Sequence, residues 1–391
     1  MNVQGENKAE QNSLGLYVHV PFCSSTCDFC AFYQEKPRKN SIKSYIIWLR
    51  REFMRIVPPR SVETIFIGGG TPGVLSPDQL SELCEIVGGK SGDEVKEWSV
   101  ELAPNEVTPE KLGALKAGGV TRVSLGVQTF DTELLGEMGR RHPPEKVLSA
   151  YDLIRDMGFE SVNLDLIFGA PGQTIEQWEG DLSRAIELSP DHISTYCLTF
   201  EEDTALYARL AKGELSIDPE REAAFYELAW EYLPSRGYDQ YEVSNFARTG
   251  MESLHNLNTW RMNEWLGYGP SAASQFGGKR YRNVSNLEAW GHSLEENNAS
   301  PIEDVEALSD RSLAYDSVLF GLRLNAGFDF AEIGHRFSVP SSAFDPLRLF
   351  FQRFEDEGLA ERAGERYRLL DAGRILADAI ASELPELATV V

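Results

Sequence analysis

Three cysteines within eight residues are the first feature of this sequence that could do chemistry. Cys23, Cys27 and Cys30 have the spacing C-x3-C-x2-C and follow directly after a predicted strand at 16–20. Thiolates are the ligands of iron–sulfur clusters, and three of them would leave one iron of a cubane [4Fe–4S] cluster open to a small molecule. The spacing therefore indicates a [4Fe–4S] cluster. A zinc site completed by His19 and a chance grouping of buried thiols are the alternatives.

Two further cysteines, Cys84 and Cys197, fall within a predicted helix and a predicted strand, and both are expected in the core. Five is an odd number, and three crowd into one loop, which does not suit a set of disulfides. The first residues lack the pattern of a secretory signal, and no apolar run approaches the roughly 18–20 residues that span a bilayer. The sequence predicts a cytoplasmic protein with reduced thiols and no transmembrane segment.

The charge is acidic overall and reverses in one stretch. The 391 residues carry 37 Lys and Arg against 61 Asp and Glu, a net charge of −24. Because nucleic-acid binding depends on neutralising phosphates, we expect no nucleic-acid partner. The segment 36–60 contains one acid, Glu52, and eight basic residues: Lys36, Arg38, Lys39, Lys43, Arg50, Arg51, Arg55 and Arg60. It predicts either a solvated helix face or a docking surface for an acidic redox donor or for porphyrin propionates.

A run of three glycines, Gly68 to Gly70, followed by Thr71 and Pro72, comes directly after the second predicted strand. Glycines let the backbone approach a ligand closely and present N–H groups to a carboxylate or phosphate. A tight turn alone would also explain them. The run lacks the Lys-Ser/Thr of a P-loop and the spacing of a dinucleotide fold, so ATP and NAD are disfavoured.

Short β-rich runs alternate with helical patterns over the first half of the chain. Strands are predicted at 16–20, 64–67, 98–102, 122–127, 162–168 and 192–198. This alternation predicts a parallel sheet with helices outside it, either an open doubly wound sheet or a partial β/α barrel. Glu101 lies at the end of the third predicted strand, Gln128 just after the fourth and Asp165 inside the fifth. Both folds bind ligands at the carboxyl ends of their strands. We expect them to share a site with the cysteine loop and the glycine run.

The second half of the chain has a different rhythm. A helix is predicted at 219–233 and short strands at 238–243 and 279–284, and the polar, acidic segment 291–310 suggests a linker or long loop. Helices at 313–322, 344–357 and 372–382 with a hairpin at 359–370 predict a small winged-helix-like unit. The acidity of the chain favours a packing role for this unit, with no nucleic acid attached.

The cysteine spacing and the GGGTP run together resemble the radical S-adenosylmethionine superfamily. The resemblance extends through YVHVPFC (17–23), RVSLGVQ (122–128) and NLDLIFGAPGQ (163–173), which are similar to the group containing oxygen-independent coproporphyrinogen III oxidase and its haem-chaperone relatives. It implies an α/β fold with a partial (β/α)6 TIM-like barrel, a [4Fe–4S] cluster on the three cysteines, and S-adenosylmethionine chelated to the open iron. The positions implied to contact S-adenosylmethionine are Tyr17, Phe29, Gly69, Gly70, Thr71, Glu101, Gln128, Arg140 and Asp165.

Within this group the sequence is more similar to the haem-chaperone branch. Phe32 stands where the coproporphyrinogen dehydrogenase carries an extra cysteine, and YEVSNFA (241–247) also matches the chaperones. HNLNTW (255–260) is similar to the HNxxYW motif associated with haem, which makes His255 the candidate axial ligand, since imidazole suits haem iron. Thr259 and Ala273 depart from that branch, where Tyr and often His occur. A capping or core histidine is the alternative for His255.

The resemblance implies a haem chaperone that binds haem and passes it to apo-proteins, with a reductant such as a flavodoxin or ferredoxin. The alternatives are a coproporphyrinogen III dehydrogenase and a binding protein in which the cluster is only structural. The expected organisation is a disordered tail (1–13), the radical SAM partial barrel (14–215), an α+β connecting region with the haem motif (216–300) and a winged-helix-like domain (301–391).

Overall fold

Six β–α units form the first half of the chain in a computed structural model that describes residues 13–388, except 93, 141 and 297–301. The strands are β1 (Leu14–Val20), β2 (Thr64–Gly69), β3 (Glu97–Leu102), β4 (Arg122–Gln128), β5 (Ser161–Phe168) and β6 (His192–Cys197). The helices are α1 (Ser41–Arg55), α2 (Pro77–Ser91), α3 (Pro109–Ala117), α4 (Thr132–Glu137), α5 (Pro144–Asp156) and α6 (Ile175–Leu188). All six predicted strands are confirmed, with ends that differ by one or two residues.

Local sequence explains where several of these helices begin. Ser76 and Gln79 form a reciprocal capping box at the start of α2, and Thr174 and Gln177 form another at the start of α6. Such a box satisfies amide groups that have no partner inside the helix. The helix starts are therefore fixed by side chains that lie just before or within the first turn.

The strand order identifies the fold as a partial barrel. The 12-stranded sheet has the order β12-β11-β10-β9-β1-β2-β3-β4-β5-β6-β8-β7. Its later strands are β7 (Asp239–Glu242), β8 (Asn245–Ala247), β9 (Glu264–Tyr268), β10 (Ala273–Phe276), β11 (Lys279–Asn283) and β12 (Ile302–Ala307). The helices in this part of the chain are α7 (Ala205–Ala211), α8 (Pro219–Tyr232), α9 (Leu254–Trp260) and α10 (Leu287–Glu296). A doubly wound sheet reverses its order at a switch point, whereas β1 to β6 run in strict sequence. The barrel was one of two predicted folds, and it is confirmed.

The region 216–300 extends the same sheet at both edges. Strand β9 pairs parallel with β1, with Tyr17 opposite Gly267, and β10 and β11 continue it antiparallel. At the other edge β8 pairs antiparallel with β6. The division of the chain at 215 and 300 stays a prediction, because strands from both sides of residue 215 share one sheet.

Alternate residues of the parallel strands face the helices and the barrel interior. Leu14, Leu16, Val18 and Val20 of β1 are fully buried in the main hydrophobic core, and residues between them, such as Tyr17, face inward. The inward positions of the other strands are largely polar: Glu97, Ser99, Glu101, Arg122, Ser124, Asn163, Asp165, His192 and Ser194. The barrel thus has an apolar outer layer and a polar lumen.

The C-terminal domain has its own core. Its elements are α11 (Asp310–Gly321), β13 (Phe328–Asp329), α12 (Phe330–Arg336), α13 (Asp345–Asp356), β14 (Ala360–Ala363), β15 (Arg366–Leu369), α14 (Asp371–Ile375) and α15 (Ala377–Ser382). The strands form an antiparallel sheet in the order β13-β15-β14, which packs on aromatic residues such as Phe330 and Phe351. The predicted hairpin and the three predicted helices are confirmed, the last of them as the two short helices α14 and α15, whereas β13 and α12 were not predicted.

The prediction of a linker at 291–310 was wrong for the part of this segment that the structure describes, since residues 297–301 lie outside the described residues. Helix α10 occupies its beginning, and β12 pairs antiparallel with β11. The acidic residues of β12 form ion pairs with Arg280 and Arg282 of β11, at 2.7 Å for the Arg282–Asp304 pair and 3.6 Å for the Arg280–Glu306 pair. The polar composition therefore reflects a solvated edge strand with cross-strand ion pairs. The tail predicted at 1–13 lies outside the described residues, apart from Ser13.

No helix in the described part of the chain is both long and apolar enough to cross a membrane.

Candidate functional site

The cysteine loop is fixed to the carboxyl ends of β1 and β2. Its two ends pair with each other, since the Cys23 amide donates to the Glu35 carbonyl at 3.1 Å and the Glu35 amide donates to the Pro21 carbonyl at 2.6 Å. The amide of Thr71 donates to the Phe22 carbonyl at 2.7 Å. These bonds place the cysteines over the barrel opening, directly beside the glycine run.

The glycine run is required by this close approach. A Cβ atom at Gly70 would lie 2.5 Å from the Phe22 carbonyl oxygen, and Gly69 has a φ of +108°, which side chains rarely adopt. A Cβ atom at Gly68 would lie 2.6 Å from the Glu101 carboxylate. The three glycines therefore let the cluster loop, the β2 loop and an acidic side chain meet in one small volume.

Arg140 connects the cysteine loop to the barrel. Its Nε donates to Cys27 Sγ at 3.2 Å, its Nη1 donates to the Gly126 carbonyl at 3.1 Å, and its guanidinium lies 6.0 Å from the centre of the Phe29 ring. Nearby, the Asp28 amide donates to the Met138 carbonyl at 3.1 Å. The loop is thus held by the segment after α4 as well as by β2.

The surroundings of the cysteines disfavour free thiolates. Burial, followed by the neighbouring thiols, raises the pKa of Cys23 to about 12, while Arg140 opposes this effect. Burial also raises the pKa of Cys30. These thiols therefore stay protonated in the metal-free protein, and the positive charge of a bound metal centre would be needed to stabilise their thiolates.

His19 does not complete a zinc site with these cysteines. Its Nδ1 is hydrogen-bonded to the Tyr17 hydroxyl at 2.9 Å, and its Nε2 donates to the Tyr33 carbonyl at 2.9 Å. Among the described residues, no three His, Cys, Asp or Glu side chains are placed to hold a single metal ion. The zinc alternative is therefore disfavoured, and His19 instead supports Tyr17 and the end of the cysteine loop.

Glu101 and Asp165 place two carboxyl groups in the lumen below the cysteines. Glu101 accepts a hydrogen bond from the Gly69 amide at 3.2 Å. Burial, followed by the Asp165 carboxylate, raises the pKa of Glu101 to about 8. Asp165 accepts from the Ser124 hydroxyl at 2.6 Å and from the Asn163 amide at 2.8 Å. The pair favours a cationic ligand between the carboxyl groups, since it would relieve their mutual repulsion.

Gln128 lies on a β-bulge at the end of β4. The register with β5 shifts between Gly126 and Gln128, and Gln128 has a φ of +68°, which is unusual for a residue with a side chain. Bulges next to binding sites redirect a side chain. The remaining implied contact, Thr71, has a buried hydroxyl oxygen without a hydrogen-bond partner among the described residues.

A cavity of about 440 Å³ extends from the cysteine loop into the barrel. Its lining includes Phe32 and Tyr33 at one end and His255 and Thr259 at the other. Because His255 lies beside Gly15 and Tyr33 contacts His19, the cavity follows the inner face of β1 for about 13 Å. Its volume is typical of small-molecule sites. Trp265, Ala273 and Arg282, on β9 to β11, also line it.

His255 is the main basic ligand that this cavity offers. Its side chain is 8% exposed, its ring stacks on Phe66 with centres 5.3 Å apart, and its Nδ1 is 3.0 Å from the Thr64 hydroxyl. Burial, followed by Arg122, lowers the pKa of His255 to about 4. Its Nε2 forms no hydrogen bond within the described residues and is not fully buried. The imidazole is therefore neutral near pH 7, as a metal ligand must be.

Of the two alternatives for His255, the structure contradicts a capping role, whereas its burial and its bond to Thr64 also suit a core histidine. Helix α9 is capped by Ser253, whose hydroxyl accepts from the Asn256 amide at 3.4 Å. The hydroxyl of Thr259 donates to the His255 carbonyl at 3.2 Å. Thr259 and Ala273, the two departures from the haem motif, both line the cavity together with His255.

Sequence reasoning missed a polar network in the lumen. Glu97 accepts from the amides of Leu254 and His255 at 2.9 and 3.1 Å, and His192 is hydrogen-bonded through Nε2 to the Tyr241 hydroxyl at 2.8 Å. The Tyr241 hydroxyl also accepts from the Ser253 amide at 3.3 Å. Polar residues at two-residue spacing within apolar strands, as in Glu97, Ser99 and Glu101, were the available signal.

Comparison with known proteins is consistent with this geometry. A model of the Radical SAM superfamily matches residues 17–185, and a model of the HemN C-terminal domain matches residues 308–376. The solved structure of coproporphyrinogen III oxidase (HemN) from Escherichia coli, described as a radical SAM enzyme, superposes with a TM-score of 0.82 over 98% of this chain and 93% of its own, at 24% identity. The chain therefore has the radical SAM fold, and that family implies a [4Fe–4S] cluster and S-adenosylmethionine.

The curated relatives define the family more narrowly. The protein named heme chaperone HemW in Bacillus subtilis is 33% identical over 370 residues, which cover 93% of this chain and 97% of the relative. Heme chaperone HemW of Lactococcus lactis is 36% identical over 80% of this chain and 82% of its own length. Heme chaperone HemW of Escherichia coli is 35% identical over 66% of this chain and 69% of its own length. The chain belongs to the HemW family.

The raised pKa of Glu101 predicts a pH-dependent gain in stability for Glu101→Gln. The carboxyl ionises near pH 4.5 in the unfolded chain and near pH 8 in the folded one, so folding loses stability as the pH rises between these values. The glutamine keeps an acceptor for the Gly69 amide and never ionises. Cluster-free Glu101→Gln protein should be more stable than the wild type near pH 8, with a difference that fades towards about pH 5, in urea denaturation.

Glu231→Gln, on an exposed position of α8, is the control and should show no such trend. A difference between Glu101→Gln and the wild type that stays constant with pH would contradict the raised pKa.

Proposed function

We propose that the protein is a radical SAM haem chaperone that binds haem through His255 and passes it to apo-proteins. The observation that carries this proposal is a neutral, nearly buried imidazole at one end of a ligand-sized cavity, whose other end is formed by the cysteine loop. The names of the relatives support haem as the ligand. Imidazole is a common axial ligand of haem iron.

The residues present fit a [4Fe–4S] cluster and S-adenosylmethionine. Cys23, Cys27 and Cys30 would hold the cluster, with Arg140 donating to one of the sulfurs, and such donors tune the potential of a cluster. When the cluster and S-adenosylmethionine are both bound, they supply a one-electron reduction of the sulfonium of S-adenosylmethionine. The unpartnered hydroxyl of Thr71 would receive a polar group of S-adenosylmethionine, and the glycines would leave room for the ligand beside the cysteine loop.

The other residues that the resemblance implies as contacts would have different roles in binding S-adenosylmethionine. Glu101 and Asp165 would bind its positive charge, since each is a carboxyl group in the lumen. Gln128 would be aimed by the β-bulge of β4, and Tyr17 by its bond to His19. Phe29 packs against a small apolar cluster that includes Leu134 and Met138, which would help to exclude water from the cluster.

Phe32 favours the chaperone over the dehydrogenase. Its side chain is 71% exposed and lines the cavity, where the sequence resemblance places an extra cysteine in the dehydrogenase. An apolar ring at this point offers a face for a porphyrin and no thiol for chemistry. Thr259 and Ala273 are small residues in the same cavity, so they leave room for a broad planar ligand.

We infer that an acidic reductant docks on the basic patch, defined as Lys36, Arg38, Lys39 and Lys43. These four side chains are exposed and form no ion pair within the described residues, whereas Arg50, Arg51 and Arg60 of the same stretch pair with acids. The patch begins directly after Glu35, whose backbone is bonded to that of Cys23. In a chain of net charge −24, it would steer an acidic flavodoxin or ferredoxin to the cluster.

We also infer a cytoplasmic location, because three free thiols that ligate a cluster must stay reduced.

Removing one cysteine should abolish the cluster. Cys27→Ala leaves two thiols for four irons, so anaerobic reconstitution should give iron and sulfide contents far below four per chain. Cys84→Ala, at a buried thiol of α2, is the matched control and should keep the full content. A Cys27→Ala protein that still carries four irons would refute the assignment of ligands.

Replacing His255 should weaken haem binding by about tenfold or more, since the axial ligand is lost. Titration of ferric haem into wild-type and His255→Ala protein, followed by absorption spectroscopy, measures this. His335→Ala, at an exposed histidine of the C-terminal domain, should behave as the wild type. An unchanged affinity and spectrum for His255→Ala would remove His255 from the haem site.

Reversing charge in the basic patch should slow electron transfer from a protein donor only. Lys36→Glu/Lys39→Glu should reduce the rate of cluster reduction by a reduced flavodoxin about tenfold or more at low salt, with no effect on reduction by dithionite. Lys90→Glu/Lys212→Glu, at exposed lysines outside the patch, is the control. Equal flavodoxin rates in the two double variants would contradict docking at this patch.

A further inference from the structure

Helix α9, which carries His255, is held at its N-terminal end by the barrel. Glu97, the first residue of β3, is 6% exposed. Its Oε1 accepts from the His255 amide at 3.1 Å and from the Ser253 hydroxyl at 3.3 Å, and its Oε2 accepts from the Leu254 amide at 2.9 Å. One carboxylate thus takes three donors at the start of the helix, which have no partners inside it.

The C-terminal end of α9 is held by the C-terminal domain. Arg336, at the end of α12, donates through Nη1 to the Arg261 carbonyl at 2.6 Å and through Nη2 to the Met262 carbonyl at 2.8 Å. It also donates to Asn263 Oδ1 at 3.0 Å. These oxygens belong to the residues that follow the helix, so the guanidinium fixes where the helix ends.

A second contact joins the helix to this domain. The rings of Trp260 on α9 and Phe320 on α11 lie with centres 5.8 Å apart. The helix is therefore clamped between two parts of the chain that fold around separate cores, the barrel and the C-terminal domain.

The imidazole itself is oriented by Thr64, the first residue of β2. The Thr64 hydroxyl lies 3.0 Å from Nδ1 of His255, and a hydroxyl can either donate or accept. When the hydroxyl accepts a hydrogen bond from Nδ1–H, Nε2 carries no proton and its lone pair is free to bind a metal. Gly15 leaves the space for this contact, since a Cβ atom there would lie 3.3 Å from Cε1 of His255 and 3.2 Å from the Thr64 hydroxyl.

We propose that Thr64, Glu97 and Arg336 are positioning residues for His255, so that the C-terminal domain contributes to haem binding by clamping the helix of the axial ligand. This rests on the proposed function, in which His255 binds haem. Partners that hold the second nitrogen of a metal-ligating histidine fix its tautomer and ring orientation, and their loss costs about 10- to 100-fold in metal affinity.

Thr64→Val is the sharpest variant for this proposal. The side chain is 2% exposed, and valine keeps its shape while removing only the hydroxyl. Haem affinity should fall about tenfold or more, and the electron paramagnetic resonance spectrum of the ferric haem should shift, because the imidazole is a weaker and less oriented ligand. Thr64→Ser restores the hydroxyl and should stay within about threefold of the wild type.

Arg336→Gln tests the clamp from the C-terminal domain. It should weaken haem binding, by less than Thr64→Val does because Arg336 acts on the helix and not on the imidazole, whereas Arg353→Gln, which breaks a surface ion pair with Glu383 in the same domain, should not. Iron content of the cluster is measured for every variant and should be unchanged, which separates loss of the haem ligand from loss of the fold.

The outcomes distinguish this proposal from the one on which it rests. If His255→Ala binds haem as the wild type does, the haem site itself is wrongly placed. If His255→Ala loses haem while Thr64→Val keeps the wild-type affinity and spectrum, the positioning role is overturned. Should Thr64→Val fail to fold, wild-type haem affinity in Arg336→Gln would overturn it instead.

Discussion

The contact on which the rest of the structure depends is the close approach of two loops at the carboxyl ends of β1 and β2. The Gly70 amide donates to the Val20 carbonyl at 2.8 Å, and the Thr71 amide donates to the Phe22 carbonyl at 2.7 Å. This approach is possible only because Gly70 has no side chain. It determines where the cysteines lie, and with them the place of the [4Fe–4S] cluster that the radical SAM family implies.

The polar lumen is the second constraint. Burying groups such as Glu101, Asp165 and Arg122 inside a barrel is costly unless each is hydrogen-bonded or paired. Asp165 is an example: it accepts a hydrogen bond from Ser124 on the neighbouring strand and another from Asn163 on its own strand. The raised pKa of Glu101 shows that its charge is not fully compensated by the protein alone. Such stored electrostatic cost is typical of a binding site.

The same lumen joins two sites that differ in chemistry. At the carboxyl ends of the strands, thiols, the Thr71 hydroxyl and carboxylates suit a cluster and a cationic ligand. Near the start of β1 and β2, a neutral imidazole faces a cavity lined by Phe32 and Trp265. Because one continuous cavity extends between these ends along β1, haem at His255 would lie next to the cysteine loop.

Much of this could be predicted from the sequence, and the rest could not for physical reasons. The cysteine spacing, the strands and the polar residues near their ends are local patterns, and they were predicted at the correct positions. The contacts of Glu97 and Thr64 with His255 join residues 158 and 191 positions apart, and no local pattern encodes them. Segment 291–310 was taken for a loop, because acidic residues that pair across an edge strand have the composition of a linker.

The central claim is that this barrel holds haem and does not process a porphyrinogen. It is tested most directly by anaerobic incubation of the reconstituted protein with S-adenosylmethionine, a reductant, haem and coproporphyrinogen together. The account predicts that haem is bound at one per chain while the coproporphyrinogen is recovered unchanged. Formation of protoporphyrinogen would contradict it.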